Sequence, residues 1–128
     1  READGVEYQD APESGREDVS GLRQALRKTM WTSASLMRHE STLRAARDEI
    51  ERLEQNLMQI RPMDMRRWFE CRNMLITAKC ITDSALLRKE SRGAHAREDY
   101  PGEVPAWIGN VFSNGQKTRF VKAADQSR

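Results

Sequence analysis

The segment "STLRAARDEIERLEQNLMQI" (residues 41–60) decides the fold. Leu43, Ala46, Ile50, Leu53, Leu57 and Ile60 recur at alternating spacings of three and four, the stripe of an amphipathic helix. One helix cannot bury such a stripe alone, so a partner is required. It lies upstream, where Leu22, Leu26, Met30, Ser33 and Met37 repeat the same period from Val19 onwards. Between the two stripes the polar run "RHEST" (residues 38–42) offers Ser41 or Thr42 as an N-cap. Two helices folded back on each other, at about residues 19–38 and 41–60, bury both stripes.

Working outward, "IRPMD" (residues 60–64) ends the second helix, because Pro62 lacks a backbone donor, and Asp64 is suited to cap the next. A third helix at about residues 64–92 carries Trp68, Cys71, Leu75, Ala78, Thr82 and Ala85 on one seam. That seam narrows towards its C-terminal half, where small side chains let another backbone approach. Gly93 falls where a left-handed C-cap residue is wanted. The expected fold class is therefore all-α: an antiparallel, spectrin-repeat-like three-helix bundle over residues 19–100, followed by an irregular segment and a small β-hairpin in residues 101–128. In "WIGNVFSNGQKTRFV" (residues 107–121), Asn114-Gly115 predicts a type I′ turn, with Val111-Phe112 and Phe120-Val121 on its flanks and Trp107 as anchor.

With 22 basic and 20 acidic residues in 128, the net charge is only +2, unlike the one-signed surface of a nucleic-acid binder. No apolar run approaches the roughly 20 residues of a membrane-spanning helix, so direct membrane insertion is not expected. The opening "READGVEYQDAPESGRED" (residues 1–18) begins with Arg1 and has the composition of a solvated linker, as expected of a piece of a longer polypeptide. Cys71 and Cys80 stand nine residues apart, half a turn out of phase and about 13 Å apart in rise, so they can neither pair nor share a metal. Two buried thiols in a reducing, cytoplasmic compartment are the expectation.

The sequence carries no legible chemistry of its own. No two glycines are spaced as in a dinucleotide fingerprint, and CxxC, HExxH and G-x-S-x-G are absent. No catalytic, cofactor-binding or metal-ligating residue is expected in this stretch. What remains is "RKESRGAHAREDYP" (residues 88–101). Arg88, Lys89 and Arg92 suit the negative end of the third helix's dipole. Glu90 does not suit that end unless a cation pairs with it. With Arg97, Asp99, His95 and Tyr100 following at once, alternating signs beside a turn predict a hydrogen-bonded ionic network.

That run, preceded by "ECRNMLITAKCITDSALL" (residues 70–87), resembles the C-terminal helical domain of the succinate dehydrogenase/fumarate reductase flavoprotein family, which includes L-aspartate oxidase. The likeness extends to "LRKTMWTSASLMR" and "STLRAARDEIERL", and so over about residues 20–101. "MW", the short connection between the second and third helices and "RNML" look most like L-aspartate oxidase; "HAREDYP" suits succinate dehydrogenase equally. The resemblance implies a non-catalytic domain, inactive alone, that closes a larger FAD-dependent oxidoreductase. Its partners would be the FAD and capping domains of the same chain, with an iron–sulfur subunit if the parent is succinate dehydrogenase-like. FAD would belong to the parent, which would convert L-aspartate to iminoaspartate in NAD biosynthesis or interconvert succinate and fumarate. Arg88, Glu90, Arg92, Gly93, His95, Arg97, Asp99 and Tyr100 match the family motif as a scaffold and interface segment. An independent helical interaction module is the alternative of another class.

Overall fold

The computed structural model describes residues 14–62 and 64–124, and the linker expected at the N-terminus lies outside them except for residues 14–18. Three helices dominate: α1 (Ser14–Ser33), α2 (Glu40–Gln59) and α3 (Met65–Leu87). Cross-links between them define their directions. Arg47 pairs with Asp83 and Lys79 with Glu54, so α2 and α3 run antiparallel. Arg23 reaches Glu70 near the start of α3, and Met30 Sδ meets the Thr82 hydroxyl further along, so α1 and α3 run parallel. This is the up-down-up bundle expected from the stripes.

The predicted stripes form the core. Leu22 and Leu26 of α1 pack with Ile50, Leu53 and Leu57 of α2 and with Cys71, Leu75 and Ala78 of α3. Where the seam narrows, Ala85 meets Ala34 and Leu43 in a second small cluster. Burying a leucine side chain is worth about 1.5–3 kcal/mol, so the leucines and Ile50 carry most of the bundle's cohesion. Trp68 binds the start of α3 to the end of α2, because its indole N–H donates to the Leu57 carbonyl at 3.1 Å. That carbonyl also accepts from the Ile60 amide at 3.1 Å, so one oxygen both closes the last turn of α2 and anchors the indole.

The ends of the helices depart from the sequence expectation in several places. α1 stops at Ser33 rather than near residue 38, which leaves Met37 in solvent while Ala34 takes a buried place. The N-cap of α2 is His39, not Ser41 or Thr42: its imidazole accepts from the Ser41 amide, and the Thr42 hydroxyl accepts from the His39 amide. An imidazole nitrogen replaces the usual oxygen acceptor. Asp64 caps α3 as predicted, accepting from the amides of Arg66 and Arg67. α3 ends at Leu87 rather than residue 92, with Arg88 as an extended C-cap. Gly93 is therefore not a helix cap. Its φ of +57° serves a tight turn in which Arg92 and His95 exchange both backbone hydrogen bonds. Arg88, Lys89 and Arg92 likewise lie beyond the last helical turn.

The segment expected to be irregular carries short pairings. Strand β1 (Met37–Arg38) lies parallel to β2 (Ala96–Arg97), and the Glu98 amide donates to the Arg38 carbonyl at 2.8 Å. After a 3₁₀ turn (Pro105–Trp107), β3 (Gly109–Ser113) and β4 (Thr118–Lys122) form the predicted hairpin. Its turn is centred one residue later than expected. Ser113 pairs with Thr118, only Gly115 has positive φ, and the Asn114 side-chain oxygen accepts from the amides of Gln116 and Lys117. A type I′ turn needs positive φ at both central residues; here the asparagine side chain takes over part of the turn's hydrogen bonding instead. The hairpin lies on α3, where Gly115 sits over Ile76 and Cys80. Trp107 is the anchor, edge-on to Phe120 at 4.9 Å. Of the two cysteines only Cys71 is buried, with its thiol pKa raised by desolvation; Cys80 is half-buried at the hairpin.

The narrow end of the seam makes a prediction. Ala85→Leu should overpack the Ala34–Leu43 cluster and cost about 1–3 kcal/mol in urea unfolding. An unchanged midpoint would show that this face yields freely.

Candidate functional site

Two buried charges organise the region around the C-terminus of α3. Arg97 and Glu90 are both essentially without solvent contact. Arg97 enters from β2 and donates one Nη1–H to the Ala85 carbonyl at 2.8 Å, with Leu86 at 3.4 Å. These are carbonyls that the end of a helix leaves without amide partners, at the negative pole of its dipole. The other edge of the guanidinium makes a two-point pair with Asp99, at 2.7 and 2.6 Å. Asp99 in turn accepts from the Glu40 amide, at 3.2 Å, in the first turn of α2. One Arg–Asp pair thus joins the negative end of one helix to the positive end of another. The Tyr100 ring lies 5.0 Å from the Arg97 guanidinium carbon and covers it.

Glu90 organises the second half. It accepts from Arg88, from Arg92 Nε at 3.1 Å and from the Val104 amide at 2.8 Å. Burial alone would raise its pKa, but the hydrogen bonds from Arg92, Val104 and Arg88 outweigh that and lower it to about 2. Arg88 extends the chain of contacts to the hairpin, donating to the carbonyls of Trp107 and Gly109, each at 2.8 Å. Its guanidinium also faces the rings of Trp107 and Phe120. Arg88 thereby ties the start of the hairpin to the end of α3. Arg92 completes the rim by pairing with Glu103 at 3.4 Å.

His95 connects the halves. Arg38 can only donate, so its contact of 2.8 Å with His95 Nδ1 makes that nitrogen the acceptor. The proton then sits on Nε2, which donates to the Arg88 carbonyl at 3.0 Å. Burial, assisted by the nearby charges of Arg38, Arg97 and Arg88, lowers the imidazole pKa and keeps the ring neutral.

The structure brings Arg88, Glu90, Arg92, His95, Arg97, Asp99 and Tyr100 into this one network, with Gly93 at its turn. Sequence reasoning passed over Arg38, Glu40, Ser91 and Glu103. Ser91 is central: its hydroxyl accepts from the Arg97 amide at 2.8 Å and donates to the Tyr100 carbonyl at 2.7 Å. Nothing in the local sequence marks a serine for that role. Arg38 and Glu40 had a signal, since charges flanking an inter-helix turn are placed to meet the far end of the bundle.

These residues do not suit a flavin. A dinucleotide needs free amides at a helix N-terminus, whereas α2 and α3 are entered through His39 and Asp64, whose own side chains take those amides. Asp99 occupies another at Glu40. Among the described residues no group of His, Cys, Asp and Glu is placed to hold a metal ion. The arrangement can fasten chain segments together, and its groups are already engaged in doing so.

Two measurements test it. Arg97→Met should cost about 3–5 kcal/mol, because it leaves Asp99 and two helix-end carbonyls without their partner; a loss below about 1 kcal/mol would make the pair incidental. Acid should act through the lowered pKa values. Glu90 and Asp99 titrate below their unfolded values and His95 below its own. Their contribution is complete above about pH 6.5, begins to fall as the unfolded-state histidine titrates, and falls steeply below about pH 4.3. Melting temperature should follow that course, and Glu90→Gln should flatten its acid limb. A parallel limb in the variant would contradict the assignment.

Comparison with known proteins agrees with this geometry. Residues 23–108 match the family model described as the fumarate reductase flavoprotein C-terminus, which extends past Pro101, where the sequence likeness had faded. The chain is 42% identical over 108 residues to an uncharacterised FAD-dependent oxidoreductase of Methanocaldococcus jannaschii, covering 82% of this chain and 20% of that one. It is 34% identical over 100 residues to the first-lettered subunit of the fumarate reductase (CoM/CoB) of Methanothermobacter marburgensis, covering 73% and 18%. L-aspartate oxidase of Nostoc is 33% identical over 107 residues, covering 67% and 18%. Among solved structures, Mycobacterium smegmatis Sdh1 in complex with UQ1 superposes with a TM-score of 0.69 at 26% identity, over 85% of this chain and 20% of that one. The chain therefore spans about a fifth of the length of these relatives. It belongs to the succinate dehydrogenase/fumarate reductase flavoprotein family, as that family's C-terminal helical domain.

Proposed function

We propose that this chain is the docking domain of an FAD-dependent oxidoreductase acting on a four-carbon dicarboxylate, with L-aspartate as the favoured substrate. The observation that carries the docking role is the node around Arg97 and Glu90. Its buried charges hold two helix ends, a turn and a hairpin in one rigid arrangement, and they offer no open catalytic group. FAD, bound by the rest of the polypeptide, supplies the redox chemistry; the residues of this chain hold the scaffold against which that part packs. L-aspartate is supported by Met30-Trp31, by "RNML" (residues 72–75) and by the short connection from Ile60 to Asp64. In that reading the amino acid loses two electrons and becomes iminoaspartate, the opening step of NAD biosynthesis.

A second reading is the same domain of a succinate dehydrogenase or fumarate reductase flavoprotein subunit, partnered by an iron–sulfur subunit. The likeness to Sdh1 and to the CoM/CoB fumarate reductase supports it. A cytoplasmic location is part of the first reading.

Assaying the longer polypeptide that carries this chain decides the matter. L-aspartate should be consumed with oxygen or fumarate as acceptor, while the 128-residue chain alone should neither bind flavin nor turn over. Oxidation of succinate without oxidation of L-aspartate would establish the second reading. Flavin binding and dicarboxylate turnover by the 128-residue chain alone would overturn the docking role.

A further inference from the structure

Between the end of α3, Arg38 and the hairpin lies a groove of about 460 Å³, lined by Arg38, Ser84, Arg88 and His95 with Ile81 and Val111. Its two guanidiniums are not equivalent. Arg88 is satisfied by Glu90 and by two hairpin carbonyls. Arg38 uses Nε on the carbonyls of Ala34 and Ser35 and Nη1 on His95. No carboxylate among the described residues pairs with it, although Arg88, Arg92 and Arg97 beside it each have one. A half-buried guanidinium held only by neutral acceptors bears a desolvation cost that nothing of opposite charge offsets. Next to it the chain exposes Leu36 and Met37, at 78% and 59%, and Ile81 of the groove is 42% exposed.

A cation fixed in place in a groove with exposed Ile81, on a segment that also exposes Leu36 and Met37, has the composition of the centre of a protein interface. We infer that this groove receives a carboxylate, carried by an acidic side chain of the flavin-binding part of the polypeptide, which pairs with Arg38 and is sealed from water by Leu36, Met37 and Ile81. This rests on the docking reading above. The occupant follows from two observations. The relatives are about four times as long as this chain, and the docking reading sets that further polypeptide surface against this face. Arg38 also has no counter-charge among the described residues, and a backbone carbonyl would leave that charge uncompensated once covered. A free anion is the weaker occupant, because both nitrogens of His95 are engaged and the charge of Arg88 is already matched by Glu90, which leaves Arg38 alone to hold it.

Cys80 lines the same groove and reports its occupancy, with fully buried Cys71 as the internal reference. Iodoacetamide should alkylate Cys80 at least about 30-fold more slowly in the longer polypeptide than in the 128-residue chain, the equivalent of about 2 kcal/mol for a covered charge pair. Arg38→Gln should return Cys80 to the rate of the free chain. Leu36→Asp should do the same without touching any hydrogen bond, which guards against misfolding of the first variant. Arg38→Glu should be rescued by an Asp→Arg or Glu→Arg change at the pairing carboxylate. Protection of Cys80 that ignores both Arg38→Gln and Leu36→Asp would overturn the inference. So would slowing of Cys80 in the 128-residue chain by succinate or inorganic phosphate, lost in Arg38→Gln, because the site would then take a free anion. If Cys80 reacts equally fast in both polypeptides while the longer one oxidises its dicarboxylate, the inference fails and the functional reading stands. If Cys80 is protected but the longer polypeptide turns over no dicarboxylate, the inference stands and the functional reading fails.

Discussion

The guanidinium of Arg97 is the constraint on which the rest of this structure depends. A helix that ends inside a protein leaves carbonyls that must find donors, and a glycine cap would have supplied them from the backbone. Here the donors come from a side chain twelve and eleven residues further on. The consequence is non-local. To bring Arg97 back to Ala85, the chain must turn at Gly93, pair β2 with β1, and place Asp99 against the first turn of α2. α3 ends at Leu87 for the same reason: continuing to residue 92 would fill its own carbonyls and leave Arg97 buried without them.

Buried ion pairs are weak devices for stability, because desolvating two charges consumes most of what their attraction returns. They are strong devices for uniqueness, since a misplaced segment leaves a bare charge in the interior. That fits the division of labour seen here. Apolar stripes give the bundle its cohesion and would tolerate several registers at the narrow end, where Ala34, Ala85 and Leu43 meet with little shape to distinguish one fit from another. Arg97–Asp99 and Arg88–Glu90 select one register, the first for the helix ends and the second for the hairpin. Because Arg88 also holds the carbonyls of Trp107 and Gly109, it sets where the hairpin meets the end of α3, while the bare Gly109 lets β3 close on β4, where a side chain would collide with the Val121 carbonyl.

The bundle was legible in the sequence because periodicity reports burial directly. Leu43 to Leu57 and Cys71 to Ala85 occupy the predicted faces. Helix ends were not, since they are set by which polar group wins a backbone amide or carbonyl, and the winners were distant. His39 displaced Ser41 and Thr42 as cap, Arg97 displaced Gly93, and an asparagine side chain moved the hairpin turn by one residue. The ionic network was legible as composition, from Glu90 standing among cations at a helix end, but its wiring was not. Arg38 and Glu40 enter it from more than fifty residues upstream, and Ser91 enters as an ordinary hydroxyl.

The same wiring explains why Arg38 has no carboxylate among the described residues. Arg97, Arg88 and Arg92 are each matched to a carboxylate carried by their own segment, within two residues in sequence. Arg38 comes from the turn between α1 and α2, where the nearest acid, Glu40, points instead towards Arg44 and Arg97. Its geometry is nonetheless fixed, because the carbonyls of Ala34 and Ser35, just past the end of α1, and a neutral imidazole hold the guanidinium. A side chain ordered in advance loses little entropy on meeting an anion, which is what a preorganised contact requires. The network that closes the bundle therefore also holds Arg38 in place, and in the docking proposed above the fold and the contact would have the same physical cause.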